Sequence, residues 1–236
     1  MTKRAKFFFI CLFIVLDIFL FIGYIVIRDA TMLNELKKEV IVLTNMELSK
    51  DRYNRKMKTR GNYALVEKTV KSYLDDTAVL LQETITMTKD EKLSKILSYE
   101  NYEKDGPLFE ESLSYVEKQK DAFTKNMDTL LERLEESSII QYGNQKIEDP
   151  SLRKIYLDSL LSDDMRKEFQ MIKGTLLEDK VQIEKTFTVS NQVLEFLVFN
   201  QEQWTLEEGE IKFRKQSLYD QYIRMIGNLT VEKKEE

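Results

Sequence analysis

The chain opens on a single long apolar stretch. Phe7 to Ile27 is a 21-residue apolar run broken by one charge, Asp17. A helix rises about 1.5 Å per residue, so this run matches a hydrocarbon core about 30 Å thick. A cleavable signal peptide would be shorter and would end in small residues. The flank Ile25-Val26-Ile27-Arg28-Asp29 has none. Cys11 follows the bulky Ile10, against a lipoprotein signal. The expectation is an uncleaved anchor that binds the lipid bilayer through residues 7–27.

After the run the apolar positions return at helical spacing. Leu33, Leu36, Val40 and Leu43 keep a 3-4 rhythm, then give way to Lys50, Arg52, Arg55, Lys56, Lys58 and Arg60. This predicts a helical stalk over residues 28–60. It either pairs two copies as a short coiled coil or packs on the chain's own bundle; two heptads do not decide. The basic cluster either meets acidic polymers and headgroups or is a solvated helix face.

Gly61 breaks the pattern, and Tyr63, Val66, Val70, Tyr73, Leu74, Thr77, Leu80, Leu81 and Ile85 then predict a long helix. Thr88 and Glu91 fit a capping box ahead of a short helix carrying Leu93, Ile96, Leu97 and Tyr99. Pro107 is placed to open the next helix, whose stripe is Phe109, Leu113, Val116, Phe123, Met127, Leu130 and Leu134. Residues 138–149, with Gly143 and Asn144, read as a loop. Asp149-Pro150 starts a short helix with Leu152, Ile155, Tyr156, Leu160 and Leu161. Ser162, Asp163 and Asp164 cap a last long helix that runs from Met165 to about Phe199.

The period then changes from helical to two. Trp204-Thr205-Leu206 and Ile211-Lys212-Phe213 alternate around Glu207-Glu208-Gly209-Glu210, a β-hairpin signature. An even loop pairs Leu206 with Ile211 and Trp204 with Phe213 on one face; an odd loop would put Glu210 and Lys212 there. A lone hairpin is marginal in water, so its apolar face is expected against the bundle, with Trp204 in the core. Ser217 to about Asn228 forms a final helix with Leu218, Tyr222 and Ile226 inward.

The predicted fold is mainly α: a single N-terminal transmembrane helix, then an elongated antiparallel helical bundle with one small C-terminal β-hairpin. Residues 1–6 form a cytoplasmic stub, 7–27 the span and 28–60 the stalk. Residues 61–230 form one extracytoplasmic bundle domain, with the hairpin at about 204–213, and 231–236 a disordered tail.

Charge sets the direction. Lys3, Arg4, Lys6 and the amino terminus precede the span, whereas Arg28, Lys37 and Lys38 behind it are mixed with Asp29, Glu35 and Glu39. The positive-inside rule then favours a cytoplasmic N-terminus and an exported remainder. A stub of six residues is too short for an output domain, so inward signalling would need a membrane partner. Beyond residue 28 the chain carries 32 basic and 40 acidic residues, a net charge of −8, which disfavours nucleic acid as a partner.

Composition narrows the chemistry further. There is no histidine, and the one cysteine lies inside the apolar run. Histidine-based catalysis, His-ligated metals and exported disulfides are thereby excluded. Only 7 glycines and 2 prolines leave few tight turns, which again argues for long helices. The adjacent acids Asp75-Asp76, Asp163-Asp164 and Glu207-Glu208 would point apart on a helix, so general acid–base work is not expected of them, and weak calcium binding is conceivable but unspecific. Asn228-Leu229-Thr230 matches a glycosylation acceptor, a tripeptide common by chance. Tyr99, Tyr102, Tyr115 and Tyr142 either line a peptide or glycan groove or are packing residues. No catalytic, cofactor or metal site is expected, and the chain is not read as an enzyme.

The residue least explained by packing is Asp17. A carboxylate at mid-bilayer costs about 2.5–3.5 kcal/mol on insertion scales, which pairing would offset. Asp17 and Tyr24 share a helix face and are the candidate contacts to a partner transmembrane protein; the alternative is a carboxyl merely tolerated there. Leu33, Leu36, Val40 and Leu43 are the candidate contacts for a homodimer. The expected function is a non-catalytic interaction or scaffold protein of a bacterial cell envelope, an accessory subunit of a membrane complex. The alternative is an extracytoplasmic ligand-binding sensor reporting through a partner.

Overall fold

The computed structural model describes the backbone of residues 3–44, 53 and 55–229, and the side chains of these except 3–20, 22 and 44. The protein is mainly helical, with one two-stranded antiparallel hairpin. Its chain groups into two compact units. The first comprises Met1–Asp76 and Ile139–Met165, and the second Thr77–Ser138 and Arg166–Glu236.

The first unit begins with helix α1 (Lys3–Thr44), unbroken over 42 residues. Among the described residues no helix is long and apolar enough to cross a membrane. Residues 7–20, most of the apolar run including Asp17, lie outside those whose side chains are described. The sequence carries the stalk helix on to about Lys58, but residues 55–60 belong to no helix or strand. Gly61 makes the turn at φ +58°, and α2 (Asn62–Thr88) follows. Val66, Val70, Tyr73 and Leu74 of its expected stripe are buried.

Helix α6 (Glu136–Lys146) overturns the expected loop at 138–149. Gly143 reads as a breaker in sequence. Its role is close approach, because a Cβ there would stand 2.6 Å from the buried Tyr156 ring. Ahead of it Tyr142 meets the edge of Tyr73 at 5.2 Å between ring centroids. Helix α7 (Pro150–Leu160) starts as expected: Asp149 accepts the N–H groups of Ser151 and Leu152, and Pro150 occupies the first turn. Leu152, Tyr156 and Leu160 are its buried face.

The second unit holds the rest. The capping box at Thr88 is not formed. Thr88 closes α2 by donating to the Ile85 carbonyl, and Asp90 caps α3 (Glu91–Ser94) instead, accepting Leu93 N–H at 2.8 Å. The single short helix expected here is split, since Ser98 starts a new one, α4 (Tyr99–Asp105). Pro107 does not open the next helix. It follows a cis peptide bond, Phe109 adopts a left-handed conformation, and α5 runs Glu110–Arg133. The carboxylate of Asp105 reaches over to accept Ser112 N–H at 2.7 Å, the work of a cap done from five residues before the helix.

Helix α8 spans Asp163–Phe199, with Met165 N–H held by Ser162 Oγ at 3.4 Å. Beyond Arg166 it runs antiparallel to α5. Lys120 pairs with Thr188, Thr124 with Glu184, Asp128 with Lys180 and Glu135 with Lys173. Each step forward on one segment is matched by an equal step back on the other. Phe123 and Phe187 pack at 5.8 Å beside this seam.

Strands β1 (Trp204–Glu207) and β2 (Glu210–Phe213) pair in the even register expected, Trp204 with Phe213 and Leu206 with Ile211. The two-residue loop, Glu208 and Gly209, has φ +52° and +84°, as a hairpin matching strand twist requires. Helix α9 (Gln216–Gly227) closes the described chain with Tyr222 inward. Trp204 is buried, stacks on Phe109 at 6.0 Å and donates to the Leu197 carbonyl at 2.8 Å. The hairpin is thus fixed to the helices by its aromatic face. The expected tail at 231–236 lies outside the described residues.

Candidate functional site

Helix α1 changes character along its length. Phe21, Tyr24, Val26 and Ile27 are 65, 61, 60 and 69% exposed. Leu33 is half-buried, while Leu36, Val40 and Leu43 are packed inside the first unit. The apolar stripe read as a pairing face is therefore already covered by the protein's own chain. Tyr24 is exposed; the side chain of Asp17, its expected companion, lies outside the description.

The same buried stripe carries a charge. Glu39, three residues after Leu36 and four before Leu43, is only 4% exposed. Its carboxylate lies 3.2 Å from Lys71 Nζ and 3.6 Å from Arg55 Nε. Lys71 is itself buried and also contacts Glu67 at 2.5 Å. Glu67 is fully shielded and accepts Lys58 N–H, Thr59 N–H and the Thr59 hydroxyl, the last two at 2.7 Å. Burial works to raise the Glu67 pKa, but the Lys71 ammonium and these donors outweigh it and bring it below the ordinary carboxylate value.

Sequence reading passed over this cluster. Two signals were available: a charge on an apolar stripe at Glu39, and the i,i+4 pair Glu67–Lys71 flanking the stripe of α2. The third member, the irregular chain at 55–60, has no periodic signature.

Elsewhere in the second unit α5 and α8 border a shallow groove. One part, about 310 Å³, has Val116 and Phe187 as its floor and Glu117, Lys120, Asp121, Asn191 and Glu195 around it. Within it Lys120 donates to Thr188 and Asn191 to Glu195, while the buried Asn191 Oδ1 accepts no hydrogen bond. Of the tyrosines suspected of lining a groove, Tyr102, Tyr115 and Tyr142 are engaged with neighbours inside their own units, and Tyr99 is half-buried. Tyr102 is buried, Tyr115 lies under Lys92 and is pushed up to about 12 by burial and by its hydrogen bond to Asp90. In the first unit Tyr142 donates to Asp76. Among the described residues no group of three or more acidic or cysteine side chains is arranged to hold a metal ion.

No family model, curated protein or solved structure matches this chain.

Proposed function

We propose that this chain is a membrane-anchored, non-catalytic interaction protein. Its anchor is the apolar part of α1, and its helical units are exported. It acts as a scaffold or accessory subunit of a membrane complex in a bacterial envelope, with Asp17 and Tyr24 facing the partner.

The observation that carries this reading is the exposure of Phe21, Tyr24, Val26 and Ile27 on one helix. At about 100° per residue these four side chains spread over roughly 220° of the circumference. A helix that docks on one neighbour needs an apolar stripe of only about 100°. A surface about twice that width fits a bilayer better than a single neighbouring helix. The charge bias around the run gives the direction.

The scaffold reading is preferred to the sensor because the groove beside α5 is shallow and part of its rim is already paired, Lys120 with Thr188 and, further along, Thr124 with Glu184, although Asn191 Oδ1 accepts no hydrogen bond there. Pairing of two copies through Leu36, Val40 and Leu43 would compete with the burial those residues already have.

Alkaline extraction of membranes tests the anchor: the protein stays in the pellet, and release of the full chain into the supernatant sinks the reading. Protease added to intact protoplasts tests direction, with digestion expected and protection contradicting an exported domain. Crosslinking from the span followed by mass spectrometry tests the partner. Asp17→Leu is expected to remove the crosslinked complex, and an unchanged complex eliminates the docking role.

A further inference from the structure

The buried charges of the first unit are not equivalent. Glu67 is pinned by two backbone N–H groups, a hydroxyl and an ammonium. Among the described residues Glu39 is held by its ion pairs to Lys71 and Arg55: its Oε1 is buried and finds no well-aligned hydrogen bond. Lys71 stands between them. Its Nζ faces four acceptors, Glu67 at 2.5 Å, Glu39 at 3.2 Å and the carbonyls of Lys56 and Arg55 at 3.3 and 3.4 Å. An ammonium has three protons to give. The site is oversubscribed, and the acceptor with the poorest geometry is the one on α1.

We propose that the Glu39–Lys71 contact is a releasable latch between α1 and a fixed clamp formed by Lys71, Glu67 and the chain at 58–59. Breaking a buried ion pair is ordinarily costly because a charge is stranded. Here Lys71 would keep Glu67 if Glu39 left with α1. Leu36, Val40 and Leu43 hold α1 in place by apolar burial, and the latch sets which rotation of the helix is occupied. A shift of α1 would thus be felt in the unit as the opening of the Glu39 contacts to Lys71 and Arg55, with the clamp intact. The latch lies wholly inside the first unit and stands whether or not α1 enters a bilayer.

Amide hydrogen exchange on the full chain in detergent micelles, read by mass spectrometry, tests this. Glu39→Gln keeps the shape and removes the charge. Losing a charge-assisted contact speeds local opening by about 10- to 100-fold. That acceleration is expected at amides 40–43, while the amides of Lys58 and Thr59, bonded to Glu67, keep the wild-type rate. Glu67→Gln is expected to speed the amides of Lys58 and Thr59. Equal acceleration at both places in Glu39→Gln would make Glu39 part of the clamp and overturn the latch. No acceleration at 40–43 would overturn it too, as would Glu67→Gln leaving Lys58 and Thr59 unchanged.

Discussion

The hydroxyls of Tyr102 and Tyr222 stand 3.1 Å apart, buried, and join α4 to α9 across 120 residues of sequence. Around them Phe109, Phe213 and Trp204 supply the apolar walls. A buried hydroxyl without a partner costs about 1–3 kcal/mol. Tyr222→Phe is therefore expected to lower the unfolding free energy by about that amount, with the urea m-value unchanged. A loss under about 0.5 kcal/mol would mean that the Tyr102 hydroxyl finds water instead. Burial, then the facing Tyr222, raise the Tyr102 pKa. A raised pKa contributes stability below the unfolded value near pH 10 and loses it above. The gap between the protein and Tyr102→Phe should narrow as the medium passes that point.

Glu67 sets the opposite dependence. Its folded pKa is lowered from 4.5. A lowered carboxyl pKa contributes stability above the unfolded value, and that stability is lost as pH falls through the folded one. Urea unfolding of the protein and of Glu67→Gln at steps from pH 7 to pH 3 should show a difference that is constant above about pH 5.5 and shrinks in acid. A difference that grows in acid would reverse the assignment.

Two glycines of helices should respond in opposite directions. At Gly143 a methyl would meet the Tyr156 ring at 2.6 and 2.7 Å, and that ring is fully buried. Gly143→Ala should destabilise: overpacking costs about 1–3 kcal/mol, above the roughly 1 kcal/mol helix propensity returns. At Gly174 a Cβ meets nothing within 4 Å, so Gly174→Ala should stabilise by up to about 1 kcal/mol. Chemical denaturation midpoints moving the same way for both would contradict the packing described.

This contrast shows where sequence reading stops. Gly143 and Asn144 look like a loop because glycine disfavours helices in isolation, and only the arrival of Tyr156 from α7 turns that glycine into a packing requirement. Local signals were legible: the Asp149 cap, the stripes of α2, α5 and α8, and the hairpin parity that follows from period two. Non-local ones were not. Asp105 capping α5 from beyond a proline, and Glu39 reaching Lys71, depend on which elements meet. The grouping of 139–165 with the first 76 residues has the same cause.

The hairpin loop offers a gain. Glu208 sits at φ +52°, where a side chain other than Asn or Asp is disfavoured. Glu208→Asn should raise the melting free energy by about 0.5–1 kcal/mol, and Gly209→Ala, at φ +84°, should lower it by about 1 kcal/mol. Thermal unfolding checks both. A neutral Gly209→Ala would mean that the loop is not held in this turn.

The central claim is that α1 passes from lipid into a folded unit within one helix. Replacing the native thiol by Cys11→Ser and adding either Phe21→Cys or Ile41→Cys tests it in sealed membranes. Both positions are exposed in the structure, at 65 and 59%. A charged, water-soluble maleimide should label position 41 and leave position 21 unmodified until detergent is added. Equal labelling of the two without detergent would contradict the account.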